Sequence, residues 1–207
     1  MAGLPRGQDG ANAGGIGVNV LILPHATSNA FRWTAQAGNI SRNTTYLSSG
    51  VTDSRPNARI LVTQVLDQSS VIYNNDDVAV GYDPSSGGRW GIFNDLRSST
   101  MPVGAEFNVL VNGSHTGGGT ALIQTTTTAN TFFDATLINN PVTNGAPNAM
   151  IFATNNYDAH GVGGLHGGIS NPHILGAWFI KNRWGVFNED QAVPGIGSSM
   201  NVLMFNH

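Results

Sequence analysis

The chain has no cysteine, one lysine (Lys181) and two glutamates (Glu106 and Glu189) in 207 residues. Without cysteine there is no disulfide framework, no thiolate nucleophile and no thiolate metal ligand. That suits a reducing cytosol and a bacterial secreted protein equally, so the compartment stays open. Charge of either sign is scarce: Asp, Glu, Lys and Arg make up 10% of the residues, against a usual ~25%. One lysine and eight scattered arginines at a net charge of -3 build no basic face for a row of phosphates, which argues against nucleic-acid binding. No apolar run approaches the ~18 residues of a transmembrane helix, so no membrane span is expected. The start, Met1-Ala-Gly-Leu-Pro-Arg, lacks the apolar region of a signal peptide, as a cytoplasmic or a mature chain would.

The polarity comes instead from 23 Asn, 17 Thr and 15 Ser beside 27 Gly. With 40% hydrophobic residues the chain can bury a core, and its composition points to an all-β protein rich in turns. Residues 1–17 hold six glycines and almost no large apolar side chain, and read as a Gly-rich arm.

Beyond the arm the chain repeats. Arg89-Trp90-Gly91-Ile92-Phe93-Asn94-Asp95 returns as Arg183-Trp184-Gly185-Val186-Phe187-Asn188-Glu189, and Phe107-Asn108-Val109-Leu110 as Met200-Asn201-Val202-Leu203. Upstream, Val51 to Ala58 matches Val142 to Ala149, and Thr27-Ser28-Asn29-Ala30-Phe31 is set against Thr128-Ala129-Asn130-Thr131-Phe132; Trp33 has no Trp partner, and Phe133 is read as its counterpart. Blocks in the same order imply two tandem homologous units of about 90–100 residues. The expected organisation is an arm over 1–17, a first β-unit over 18–112, a linker over 113–119 and a second β-unit over 120–207. Alternation within the blocks and five to seven short strands per unit predict a β-sandwich or barrel-like fold in each.

The repeated Arg-Trp-Gly block is the sharpest signal. One reading makes Trp90 and Trp184 core anchors, with the glycine admitting a neighbour against the strand and Asn94 and Asn188 capping the turn into an acidic loop. The other displays them beside Arg89 and Arg183 to stack on a sugar and hydrogen-bond its hydroxyls, with Tyr82 and Trp178 as the second aromatic of each unit. Asn94, Asp95, Asn188 and Asp190 would join such a site. The same blocks, with Pro-Asn-Ala, Met-Pro-Val-Gly-Ala and Phe-Asn-Val-Leu-Val around them, resemble an uncharacterised tandem β-domain family of secreted bacterial proteins. That resemblance implies an extracellular or surface-associated setting and an accessory role, and brings no activity or catalytic residue.

Acid and amide clusters such as Asn74-Asn75-Asp76-Asp77 and Asn188-Glu189-Asp190 suit Ca²⁺, though Asx-turns account for them without metal. Asp158, His160, His166 and His173 are weak candidates for a transition-metal site, since spacings of six and seven match no common ligand pattern. No nucleophile elbow, P-loop or dinucleotide fingerprint is present, so an enzyme is not expected; a polysaccharide hydrolase using aspartates is the weakest reading. A lectin-like, non-catalytic module with two related glycan-binding sites is the leading expectation, its partner a glycan or cell-surface polymer. The alternative is an assembly subunit of an extracellular layer, fibre or virion decoration, self-associating through edge strands or the arm.

Overall fold

A computed structural model describes residues 18–23, 25–66, 72–112, 118–157 and 168–206; the proposed arm and most of the proposed linker lie outside them. The protein is all-β, with seven strands in each half among the described residues: β1 (Ala30–Thr34), β2 (Ile40–Ser41), β3 (Thr44–Tyr46), β4 (Ile60–Val65), β5 (Val78–Asp83), β6 (Arg89–Asn94) and β7 (Glu106–Val111), then β8 (Thr120–Thr125), β9 (Thr131–Phe132), β10 (Ala135–Leu137), β11 (Met150–Asn156), β12 (Leu175–Ile180), β13 (Arg183–Asn188) and β14 (Ser199–Phe205). In the first unit β1-β7-β4 and β2-β3-β6-β5 form two sheets, and in the second β8-β14-β11 and β9-β10-β13-β12 repeat the order. Each unit is thus a sandwich, not a closed barrel. No helix among the described residues is long and apolar enough to cross a membrane.

Each sandwich has its own core. Ile60, Val80, Trp90, Ile92, Phe107 and Val111 meet in the first, and Ile138, Ile151, Val186, Met200, Val202 and Met204 in the second. A third cluster joins the units: Ala30, Leu61 and Leu110 on the outer side of one three-stranded sheet meet Leu203, Ala121, Phe152 and Phe205 of the other. Burial of Leu110 and Leu203 on the outer faces, beside Val109, Val111, Val202 and Met204 on the inner, explains why Val-Leu-Val and Val-Leu-Met are apolar without alternation. At the edges Asn156 of β11 pairs in parallel with Val80 of β5, which merges four strands of the first unit and three of the second into one seven-stranded sheet. Asn201 secures the seam: its Nδ2 donates to Ile60 O and its Oδ1 accepts from Asn156 Nδ2.

The strand registers correct part of the repeat alignment. Ala30 and Ala121 occupy the same place, as do Ile60 and Ile151, opposite Leu110 and Leu203 or Val111 and Met204. The counterpart of Asn130 is therefore Asn39, not Asn29: both accept from the N–H three residues upstream, Gln36 or Thr127. Trp33, opposite Phe107, corresponds to Gln124, opposite Met200. Phe133 corresponds to Arg42, the two sharing a left-handed φ of 55° at the same hairpin turn.

Candidate functional site

The repeated block proves to be the anchor of each sandwich. Trp90 is fully buried and its Nε1 donates to Arg55 O at 2.9 Å; Trp184 donates to Ala146 O at the same distance. Arg55 and Ala146 are equivalent positions in the Pro-Asn-Ala turns, so each indole ties its turn to the sheet. Gly91 leaves room for Thr44, whose Cγ2 would lie 2.6 Å from an added Cβ. Asn94 and Asn188 do more than cap a turn. Both are buried and accept from a second buried amide at 2.8 Å, Asn74 Nδ2 or Asn171 Nδ2. Tyr82 is buried edge-on against Trp90, and the carbonyl of Ser86 accepts from Arg89 Nε, whose guanidinium lies over Tyr46. A buried ring offers no face to a ligand, so Trp90 and Tyr82 act as core residues here, contrary to the stacking role considered above; Trp184, half-buried, is committed to its turn.

Trp178 has a different place. The counterpart of Tyr82 is Phe179, which meets Trp184 edge-on as Tyr82 meets Trp90. Trp178 stands where the first unit has Gly81, on the outer face of the sheet. There it joins Phe132, 6.5 Å away between ring centroids, and Phe132 meets Phe133 at 4.5 Å. Lys181 Nζ sits 3.7 Å from the Phe132 centroid. The first unit has Ser41, Arg42 and Gly81 at the matching positions, so the cluster belongs to the second unit alone. Phe133 is half-exposed at 53% and holds a left-handed φ of 55°, which costs a bulky residue about 1–2 kcal/mol. Arg42 holds the same φ in the first unit, so the backbone conformation belongs to the turn; what the second unit adds is exposed aromatic area on the hairpin tip. In the sequence its signal is the pair Phe132-Phe133 in a turn, which the repeat does not share.

The acidic candidates gather at the junction between the units. Asp95 lines a small cleft with Ala79, Asn155, Asn156, Tyr157 and Asn171, and its Oδ2 is buried without a hydrogen-bond partner. Burial, reinforced by the like charge of Asp77 and opposed by Arg97, pushes its carboxyl up to about 7. Arg97 reaches across the junction to donate to Tyr157 Oη at 2.7 Å while lying over the ring. Burial and Asp76 also raise Asp77, and His173 opposes them. His173 Nδ1 pairs with Asp190 at 2.8 Å; the backbone N–H of Ala192, then His173, hold Asp190 below the usual carboxylate range. Asp158, His160 and His166 lie outside the described residues, and among the described ones no three His, Asp or Glu side chains are grouped to hold a metal ion. Glu189 and Arg183 are exposed beside the aromatic cluster's sheet.

One protein family, described as a domain of unknown function (DUF7452), matches residues 8–111 and again residues 80–204. The chain belongs to this family. The two matches overlap across β5 to β7, and the second opens at Val80, the residue that receives β11 at the junction. A DUF7452 match thus reaches across both sandwiches of the tandem. No curated protein matches the chain. No solved structure matches it either.

Proposed function

We propose that this DUF7452 protein is a non-catalytic recognition module that binds glycans through the aromatic face of its second unit. The observation that carries the reading is the cluster of Phe132, Phe133 and Trp178 with Lys181 over it. Sugar rings present C–H faces that stack on aromatic rings and hydroxyls that seek neutral and charged donors; Lys181, Asn182 and Arg183 supply the donors at the rim. One platform replaces the two related sites expected from the repeat, because the first unit has Ser41, Arg42 and Gly81 at the matching positions and its own Trp90 and Tyr82 are core. A glycan array followed by calorimetry tests it. Wild-type binding should fall tenfold or more in Phe133→Ser combined with Trp178→Ala and hold in Asn108→Ala, at an exposed position outside the cluster; absence of any glycan signal from wild type sinks the reading.

A second reading, an assembly subunit, is favoured by one observation. β5 receives β11 inside the chain, whereas its counterpart β12 is an edge strand among the described residues, and edge strands add partners through backbone hydrogen bonds. Light scattering separates the two: concentration-dependent oligomers abolished by Ala177→Pro favour assembly, and a monomer at all concentrations removes it.

A further inference from the structure

The first unit carries a second surface that its partner lacks. Ser54, Arg55, Pro56, Asn57, Ala58, Arg59 and Asn112 line an open cavity of about 330 Å³, at the small end of ligand pockets. Its frame is rigid. Trp90 Nε1 holds the carbonyl of Arg55, Ser54 N donates to Gly88 O, and the Arg59 and Asn112 backbones are tied by Asn112 N to Arg59 O at 2.7 Å and Arg59 N to Asn112 Oδ1 at 2.8 Å. Arg59 Nε is buried and meets no acceptor, and a buried guanidinium donor left unpaired is costly unless something else fills its place. Asp53, the nearest acid in sequence, spends Oδ1 on the Ser49 N–H and the Thr52 hydroxyl. Among the described residues no acid forms an ion pair with Arg55 or Arg59.

The second unit shows what the fold needs at these positions and what it does not. Gly145 stands for Ser54, Ala146 for Arg55, Met150 for Arg59 and Phe205 for Asn112, with the same turn and the same indole bond. Both Ser54 and Gly145 are left-handed, at φ 56° and 73°, as is Asn112 at 57°. Glycine meets that geometry without strain, so a serine held there, beside two arginines the fold does without, is retained for its side chain. In a chain of net charge -3 two guanidiniums without acids are a site for an oxyanion, which their planar forks bind in pairs of hydrogen bonds. The remaining lining, Ser54, Asn57 and Asn112 with the ring of Pro56, offers neutral hydrogen bonds and an apolar face. We propose that this bowl binds the acidic group of a saccharide, a carboxylate or a sulfate ester, with the sugar hydroxyls on Ser54, Asn57 and Asn112. The assignment rests on the recognition reading for the sugar, but it uses the other unit.

Titration of the isotope-labelled full chain with sodium glucuronate, glucose 6-sulfate, glucose and sodium sulfate, followed through the Arg59 Nε–H and the Ser54 and Asn112 amides, tests it. At least one acidic sugar should shift these signals at concentrations where glucose does not, and the stronger of the two identifies the acid. Arg55→Ala, whose side chain takes no part in the fold's bonds, should weaken that binding tenfold or more; Arg59→Gln should do the same. Shifts that persist in the Phe133→Ser, Trp178→Ala variant support the bowl whatever becomes of the aromatic face. No shift with either acidic sugar, equal shifts with glucose, inorganic sulfate binding as tightly as the sugars, or indifference to Arg55→Ala each overturns the proposal.

Discussion

Replacing Asp95 by asparagine probes the electrostatics of the junction between the two sandwiches. The carboxyl is pushed from the ordinary 3.8 up to about 7, chiefly by burial and then by Asp77, with Arg97 opposing. Its Oδ2 has no hydrogen-bond partner, so the charged form is poorly solvated. Between these values the folded chain holds a proton that the unfolded chain has released. The group therefore costs nothing below pH ~4, costs progressively more as pH rises, and reaches its full penalty above about pH 7. About three pH units at ~1.4 kcal/mol each set an upper limit of about 4 kcal/mol, and water entering the cleft lowers the realised value to about 2–3 kcal/mol. Asparagine resembles the protonated acid and carries no charge. Urea denaturation of wild type and Asp95→Asn at pH 3.5 and pH 8, set at roughly the two ends of this window, should then show nearly equal stability at the lower pH and a gain of about 2–3 kcal/mol for the variant at the higher. Titrating groups not coupled to Asp95 cancel in the difference. A variant that gains the same amount at both pH values, or loses stability at pH 8, refutes the reasoning.

Three further outcomes follow from the same structure. Trp90→Phe removes the bond from a fully buried indole to Arg55 O and should cost about 1–2 kcal/mol, while iodide should leave Trp90 fluorescence unquenched; measurable quenching would contradict its burial. Asn94→Ala and Asn188→Ala each strand a buried amide partner, Asn74 or Asn171, and should cost about 1–3 kcal/mol in thermal or urea unfolding, whereas Asn108→Ala, at an exposed position, should be within about 0.5 kcal/mol of wild type. For Asp83, burial is outweighed by hydrogen bonds from Ser85, Ser86 and Tyr46, which hold the carboxyl down to about 2. That stabilisation is complete above the ordinary carboxylate value and fades as pH falls toward 2, so its carbon-13 carboxyl resonance should titrate near 2 and Asp83→Asn should flatten the acid limb of the stability profile.

Much of the architecture was legible before any coordinates. Low charge, abundant turn residues and short alternating strands follow from local chemistry, and the tandem repeat follows from self-similarity, so all-β units in duplicate were within reach. The alignment of the earliest block failed because Thr27-Ser28-Asn29-Ala30-Phe31 is locally similar to Thr128-Ala129-Asn130-Thr131-Phe132, whereas the structural counterpart, Ala37-Gly38-Asn39-Ile40-Ser41, shares only the asparagine. The spacing between Val51 and Val142 would have chosen Asn39 as the partner of Asn130. The candidate site was less legible, since repetition marks what both units need, and what both need is the core. Trp90, Trp184, Asn94 and Asn188 recur because they anchor a turn and clamp a loop; the unit-specific Phe132, Phe133, Arg55 and Arg59 were quiet in a search for likeness.

The sequence by itself determined which segments become strands, which face of each points inward, and that the unit occurs twice, because alternation, turn chemistry and local repetition act over a few residues. Tertiary structure decided what each repeated residue does. Asn108 and Asn201 hold the same place in their strands, yet one is exposed and the other fully buried, bridging Ile60 and Asn156. Phe93 is covered by Tyr157 from the other unit, while its counterpart Phe187 lies on the sheet face that carries Trp178 and Phe132. The physical reason is that burial of an outer face depends on which sheet comes to lie against it. That partner is brought from ninety or so residues away in a chain where local pattern has no reach.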